Sequence, residues 1–308
     1  MPLCHGLLPL LLVFAAASES SELCTAESCE ATERRPRRTK RSRHILEGPA
    51  PESDGGGSWR LVLSEDTAAT GAWSGNKVWP GALALLGHLH ETFGRTLVGF
   101  RILELGAGLP LLSASLAALG AEVCATDHPD VIDQVQAAAD GLIEGLTSLA
   151  KARLQFAGYA WGGAFSHLLP DRCKFSGPID LVVGADLVYD GFPVDALYES
   201  LSNLLEQNGC SATLALQPRQ FPMTAALREP RLIAGFLKRF LQERTWEVKT
   251  KSVGAQDLGI PEQSLLPDGE PAWKGLTLAT IIPPGSRDPP LQSTPGEGTL
   301  RYQREALP

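Results

Sequence analysis

The chain has 308 residues, 44% of them hydrophobic, and a formal charge of −8. That apolar content is ample for one large core or two small ones, and the acidic balance argues against broad nucleic-acid binding, which needs a basic face. The six cysteines, Cys4, Cys24, Cys29, Cys124, Cys173 and Cys210, form no CxxC pair and have no histidine cluster beside them. Buried, unreactive thiols are therefore expected over disulfides or a metal site.

The apolar run 7–17 has signal-peptide length, is too short to span a bilayer, and carries no Lys or Arg in front of it. Residues 34–43 then hold seven basic side chains in ten. Such a run reads as a nuclear address, part of a transit peptide, a processing site or a solvated linker. The two readings of the start are a cleaved targeting segment and extra non-functional sequence. Residues 19–58 are polar and rich in Gly, Pro and Ser, so 1–58 is expected to be a targeting segment plus a disordered basic linker.

An ordered domain is expected over 59–282. It opens with a brief strand at 59–63, a turn at 71–75, and an amphipathic helix at 82–93 with Pro80 suited to its first turn. From 101 onward strands and helices alternate: strand 101–105, helix 111–119, strand 122–126, helix 131–149, strand 154–157, strand 180–184, helix 195–206, strand 211–216 and helix 230–243. Segments 246–252 and 276–282 follow with no helix between them, which places an antiparallel pair at the edge of an otherwise parallel sheet. The fold class is α/β, Rossmann-like. The tail 283–308, which starts Pro-Pro-Gly, is expected to be loose.

The stretch Arg101-Ile-Leu-Glu-Leu-Gly-Ala-Gly-Leu-Pro-Leu111 organises this pattern. An apolar strand ends on Gly106 and Gly108, and a Leu/Ala helix begins at once. Glycines let the backbone turn sharply and close on a ligand, while the helix start offers free N–H groups and a positive dipole end. Asp127 ends the next strand, where doubly wound folds hydrogen-bond a ribose diol. Leu111 stands where the third glycine of a dinucleotide GxGxxG would be, which counts against a nicotinamide or flavin site. Glu104, a carboxylate closing an apolar strand, needs a partner such as an amino group or ribose hydroxyls.

Glu104-x-Gly106-x-Gly108 resembles motif I of class I S-adenosylmethionine-dependent methyltransferases, whose fold is a seven-stranded sheet with a late antiparallel strand. Val78-Trp79-Pro80, Trp161-Gly162 and Asp180-Leu-Val-Val-Gly-Ala-Asp-Leu-Val-Tyr189 extend the likeness. Together they look like the non-SET, seven-strand protein-lysine methyltransferases (methyltransferase family 16) over about residues 59–282. The most distinctive piece is Asp186-x-x-Tyr189, which matches that family's Asp/Glu-x-x-Tyr/Phe signature. The resemblance implies that Trp79, Gly106, Ala107, Gly108, Asp127, Trp161 and Ala185 line the cofactor, S-adenosyl-L-methionine, with Glu104 beside them. It implies that Asp186 and Tyr189 face the methyl acceptor.

Departures from the family pattern are Pro110 and Ser113, where many relatives carry glycine, and the absence of an Asn in the helix after Asp127. Gln217-Pro-Arg219 meets a substrate or is a plain turn. The implied activity is protein-lysine N-methylation by a monomer acting on a protein substrate, with no metal and no transmembrane segment. The alternatives are a cofactor-binding scaffold without activity and a methyltransferase for histidine or a small amine. No Asn/Asp-Pro-Pro-Tyr string of the nucleobase or glutamine N-methyltransferases occurs. The resemblance points to cytoplasm or nucleus, and the segment 1–20 to an organelle or the secretory route.

Overall fold

Four strands, 101–105, 122–127, 181–185 and 211–216, are buried at nearly every position, the pattern of strands covered on both faces. The computed structural model describes residues 41–66, 75, 77–94, 97–162, 173–218, 223–254, 275–287 and 300–307. The expectations for the run 7–17, the basic residues 34–40, the turn at 71–74, Cys4, Cys24, Cys29 and Arg219 lie outside the described residues. In chain order the strands are β1 (Arg41–Pro49), β2 (Ser58–Asp66), β3 (Arg101–Leu105), β4 (Glu122–Asp127), β5 (Ile143–Glu144), β6 (Leu154–Gly158), β7 (Leu181–Ala185), β8 (Ser211–Leu216), β9 (Glu247–Ser252), β10 (Thr277–Ile282) and β11 (Arg301–Leu307). The helices are α1 (Pro80–Phe93), α2 (Leu111–Ala118), α3 (Ile132–Leu142), α4 (Ser148–Arg153), α5 (Val194–Asn208) and α6 (Met223–Gln242).

Seven strands form the central sheet in the order β6-β4-β3-β7-β8-β10-β9. Pairs β6/β4, β4/β3, β3/β7 and β7/β8 are parallel, and β10 runs antiparallel to both β8 and β9. The expected Rossmann-like α/β sheet with a late antiparallel strand is thus present, with β10 inserted between β8 and the edge strand β9. Side chains alternate between the faces as pleating requires. Ile102 and Val183 join the apolar layer that α1 and α2 cover, whereas Leu103 and Val182 join the layer that α5 and α6 cover. The order reverses at β3, between β4 and β7, so the carboxyl ends of these strands open a crevice there.

Five sequence expectations need correction. The long helix at 131–149 divides into α3, the short strand β5 and α4. Ile143 pairs with Leu63 of β2, and Gly145, at φ +87°, lies so close to that strand that a Cβ would stand 2.0 Å from the Arg60 carbonyl oxygen. A helix could not make that approach. Pro230 lies inside α6 instead of starting it.

The linker and the tail are not wholly loose. Residues 41–49 and 301–307 form β1 and β11, which pair antiparallel with each other while β1 also pairs with β2. Polar groups share the inner positions of this second, four-stranded sheet with Leu46, Leu61 and Leu63. His44 sits between Glu65 and the Tyr302 hydroxyl, with Ser42 donating to Glu65, and Ser42, His44 and Glu65 are all buried. Polarity that reads as disorder here is a satisfied interior network. The described residues, from 41 to 307, lie in one compact unit.

The cysteines divide. Cys210 is buried and free, and burial pushes its thiol up to about 12, as an inert thiol should be. Cys124 of β4 and Cys173, in contrast, form a disulfide across 49 residues. Sequence spacing could not reveal this pair because the two meet only through the packing of β4 against the segment before β7. A closed loop of that length constrains the unfolded chain by about 4 kcal/mol on the loop-entropy scale. Cys173→Ser, or reductant alone, is therefore expected to lower the melting temperature by several degrees. Equal melting curves with and without reductant would contradict this. Among the described residues no helix is long and apolar enough to cross a membrane.

Candidate functional site

The turn after β3 needs its glycines for two separate reasons. Gly106 (φ +61°) and Gly108 (φ +52°) are both left-handed, a conformation that side chains with a Cβ resist. Both positions are also crowded. A Cβ on Gly106 would lie 2.5 Å from Leu187 Cδ2, and one on Gly108 would lie 3.0 Å from the Gly75 carbonyl oxygen. Pro110 stands at the N-cap of α2, where its missing N–H breaks no helical bond, and its carbonyl accepts from the Ala114 N–H at 2.9 Å. This departure from the family pattern fits the turn.

Ser113 has a direct role as well. It is fully buried on the first turn of α2, and its hydroxyl donates to the Glu104 carboxylate. Glu104 is 3% exposed, yet its side chain lines the crevice. Burial is the main cause that pushes Glu104 up to about 8; the Ser113 hydrogen bond opposes it, and the Asp127 charge adds to it.

A consequence for stability follows from the sign of that shift. The folded-state value lies above the ordinary 4.5, so the proton on Glu104 contributes fully below about pH 4.5 and is lost as pH rises toward 8. The upper limit is about 1.4 kcal/mol per pH unit across that window. Glu104→Gln is expected to flatten the decline in melting temperature between pH 5 and pH 8. Parallel profiles for the two proteins would show that Glu104 is ionised throughout.

Asp127, at the end of β4, is tied on both oxygens. Its Oδ2 accepts from the Gly108 N–H at 2.8 Å and its Oδ1 from the His128 N–H at 2.7 Å. Burial pushes its carboxyl up, and these two N–H groups pull it down. The carboxylate therefore bridges the glycine turn and the tip of β4 and keeps its remaining lone pairs for a ligand.

Beyond β7 the chain makes a second tight turn. Asp186 is one of two non-glycine residues among those described with positive φ, at +56°, and its N–H donates to the Ala215 carbonyl at 2.8 Å. Leu187 fills the space that two glycines leave. A Cβ on Gly184 would meet its Cδ1 at 2.5 Å, just as one on Gly106 would meet its Cδ2. The glycine turn after β3 and the turn after β7 are thus wedged together by one side chain. Further along, the Tyr189 and Phe192 rings lie 4.0 Å apart, and Phe192 meets Trp161 edge-on at 5.5 Å.

These turns surround one cavity of about 490 Å³. Its wall includes every residue expected at the cofactor or the methyl acceptor: Trp79, Glu104, Gly106, Ala107, Gly108, Asp127, Trp161, Ala185, Asp186 and Tyr189. Trp79 is the N-cap of α1, and the Lys77 ammonium lies 3.5 Å from its ring centre. Sequence reasoning missed Tyr159, His128, Leu187 and Phe192, which also line the wall. Tyr159 and His128 directly follow strands β6 and β4, so the rule that ligands sit at strand carboxyl ends would have found both. Phe192, 42% exposed, carried no comparable signal. Gln217 and Pro218 follow β8 and do not line the cavity.

The wall suits a nucleoside with a charged, amino-acid-like arm. Two carboxylates, Glu104 and Asp127, face inward from adjacent strands, flat aromatic rings flank them, and the left-handed glycines allow close backbone approach. The chain is similar to known proteins. A family model described as lysine methyltransferase matches residues 58–224. EEF1A lysine methyltransferase 3 of Mus musculus is 32% identical over 113 residues, covering 37% of this chain and 43% of that protein. Protein N-lysine methyltransferase METTL21A of Danio rerio is 32% identical over 145 residues, covering 47% of this chain and 61% of that protein. The chain spans about half the length of the curated relatives it matches. Among solved structures, a glycopeptide N-methyltransferase, MtfA, complexed with sinefungin covers 67% of this chain and 87% of its own at 16% identity and a TM-score of 0.42.

Proposed function

We infer that this chain, which belongs to the lysine methyltransferase family, transfers a methyl group from S-adenosylmethionine to a lysine side chain of a protein. One observation carries the reading: a single cavity joins the carboxylates and glycine turn suited to the donor with Asp186 and Tyr189, suited to a cationic acceptor. When bound, S-adenosylmethionine would supply a sulfonium-bound methyl to the nitrogen lone pair, with S-adenosylhomocysteine as the leaving thioether.

The residues of this chain bind and orient. Asp127 receives the ribose diol, Glu104 and the Gly106–Gly108 turn receive the amino-acid arm, and Trp79 and Trp161 form the flat walls. Asp186 holds the incoming ammonium, and Tyr189 turns its ring face and hydroxyl toward it. A lysine arrives protonated, since its ordinary value is near ~10.4. A carboxylate beside it favours that form, so Asp186 captures and aims the amine while the proton leaves to solvent before transfer. Most of the rate gain then comes from alignment of lone pair, methyl and sulfur. The chain acts as a monomer in this reading.

The test is to incubate the protein with isotopically labelled S-adenosylmethionine and a lysate of the native organism, then identify the modified residue by mass spectrometry. Labelled lysine in one or a few proteins is expected. Label on histidine or on small amines instead would move the acceptor class. Tight cofactor binding with no label anywhere would leave a scaffold.

A further inference from the structure

Gly81 is the second residue of α1, and no positive φ requires a glycine there. Glycine inside a helix is ordinarily a cost relative to alanine. Its presence is explained by what lies opposite. A Cβ on Gly81 would stand 2.6 Å from Asp186 Oδ2 and 3.1 Å from Asp186 Cγ, with the Ala215 methyl closing the other side at 3.3 Å. Such a methyl group has nowhere to go except into the space of the carboxylate.

Asp186 has little freedom to give way through its backbone. Its φ is held at +56°, its N–H is bonded to Ala215, and the next residue, Leu187, is locked between Gly106 and Gly184. The helix does not give either, because Leu83, Leu85, Leu86 and Leu89 bury it in the core. Only the Asp186 side-chain torsions remain. In its present place the carboxylate also lies against the first turn of α1, whose positive dipole end favours an anion.

We propose that Gly81 is a positioning residue for methyl transfer: by lacking a side chain it lets the Asp186 carboxylate rest against α1 and point its charge at the acceptor. The proposal rests on the reading of Asp186 as the acceptor's anchor. Gly81 acts through Asp186 and does not touch the cofactor; its neighbours Trp79 and Ala82 line the cavity, and Gly81 does not.

The test uses the full chain saturated with S-adenosylhomocysteine and n-butylammonium, the lysine side-chain mimic, as ligand. Affinity is measured by NMR titration for the wild type, Gly81→Ala, Asp186→Ala and the double variant. Gly81→Ala is expected to weaken n-butylammonium binding about tenfold while S-adenosylhomocysteine affinity stays unchanged. The double variant should bind no more weakly than Asp186→Ala alone, because neighbours acting through one group are not additive. Melting curves supply a second readout. Gly81→Ala should raise the melting temperature in the Asp186→Ala background, where the carboxylate no longer opposes the methyl, and should not raise it in the wild type.

Unchanged butylammonium affinity in Gly81→Ala, additive losses in the double variant, or a loss of S-adenosylhomocysteine binding would each overturn the role of Gly81. An Asp186→Ala variant that binds butylammonium normally, or a wild type that does not bind it, would instead sink the reading of Asp186 itself.

Discussion

Asp186→Ala is expected to lower methyl transfer by about 30-fold or more while leaving S-adenosylmethionine affinity within about twofold. The first figure follows from geometry and charge. Removing one partner of a desolvated, hydrogen-bonded charge pair costs about 2–5 kcal/mol, and both oxygens of Asp186 are buried within the turn after β7. The second follows from position. The groups we propose to hold the donor, Glu104, Asp127 and the glycine turn, lie on or just after β3 and β4, whereas Asp186 follows β7. A variant that keeps turnover would make Asp186 a structural residue of the turn. A variant that loses cofactor binding as well would show that the turn had collapsed. Asp186→Asn then separates the cases, because it keeps the side chain's size and removes its charge.

Gly106→Val is expected to abolish cofactor binding, with affinity falling 100-fold or more, and to destabilise the protein by about 2–4 kcal/mol. Two independent penalties combine. A β-branched residue at φ +61° is strained wherever it sits, at about 1–3 kcal/mol. The new side chain would also be driven into Leu187, whose Cδ2 already occupies the place of a Cβ. Calorimetric titration with S-adenosylmethionine checks the first effect and denaturant unfolding checks the second. A Gly106→Ala variant should fall between wild type and valine in both. If the valine variant binds normally, the turn is not where the cofactor rests.

Much of the central sheet could be read from the sequence because its strands obey a simple rule. Segments such as Leu181–Ala185 are covered on both faces and so are apolar throughout. The ten predicted site residues come together in one cavity because they lie at strand ends or helix starts, where topology alone brings them close. What escaped notice has different physics. The small sheet hides polar pairs, so Ser42, His44 and Tyr302 look like linker and tail until their partners are known. The Cys124–Cys173 bond depends on tertiary approach. The breaks around β5 depend on Gly145 pressing on β2. Pro110 and Ser113 look like defects in the glycine turn when judged by type. In place, one is an N-cap and the other a hydrogen-bond donor to Glu104.

The wedge formed by Leu187 limits how parts of this chain could be exchanged. A chimera that brought in a foreign segment after β7, to change the acceptor, would also bring a foreign residue at 187. Unless that residue fitted the hollows above Gly106 and Gly184, the recipient would lose the glycine turn after β3 as well. Successful grafts should therefore keep Leu187 with both glycines as one inherited block and vary only what lies downstream, from Tyr189 to Phe192.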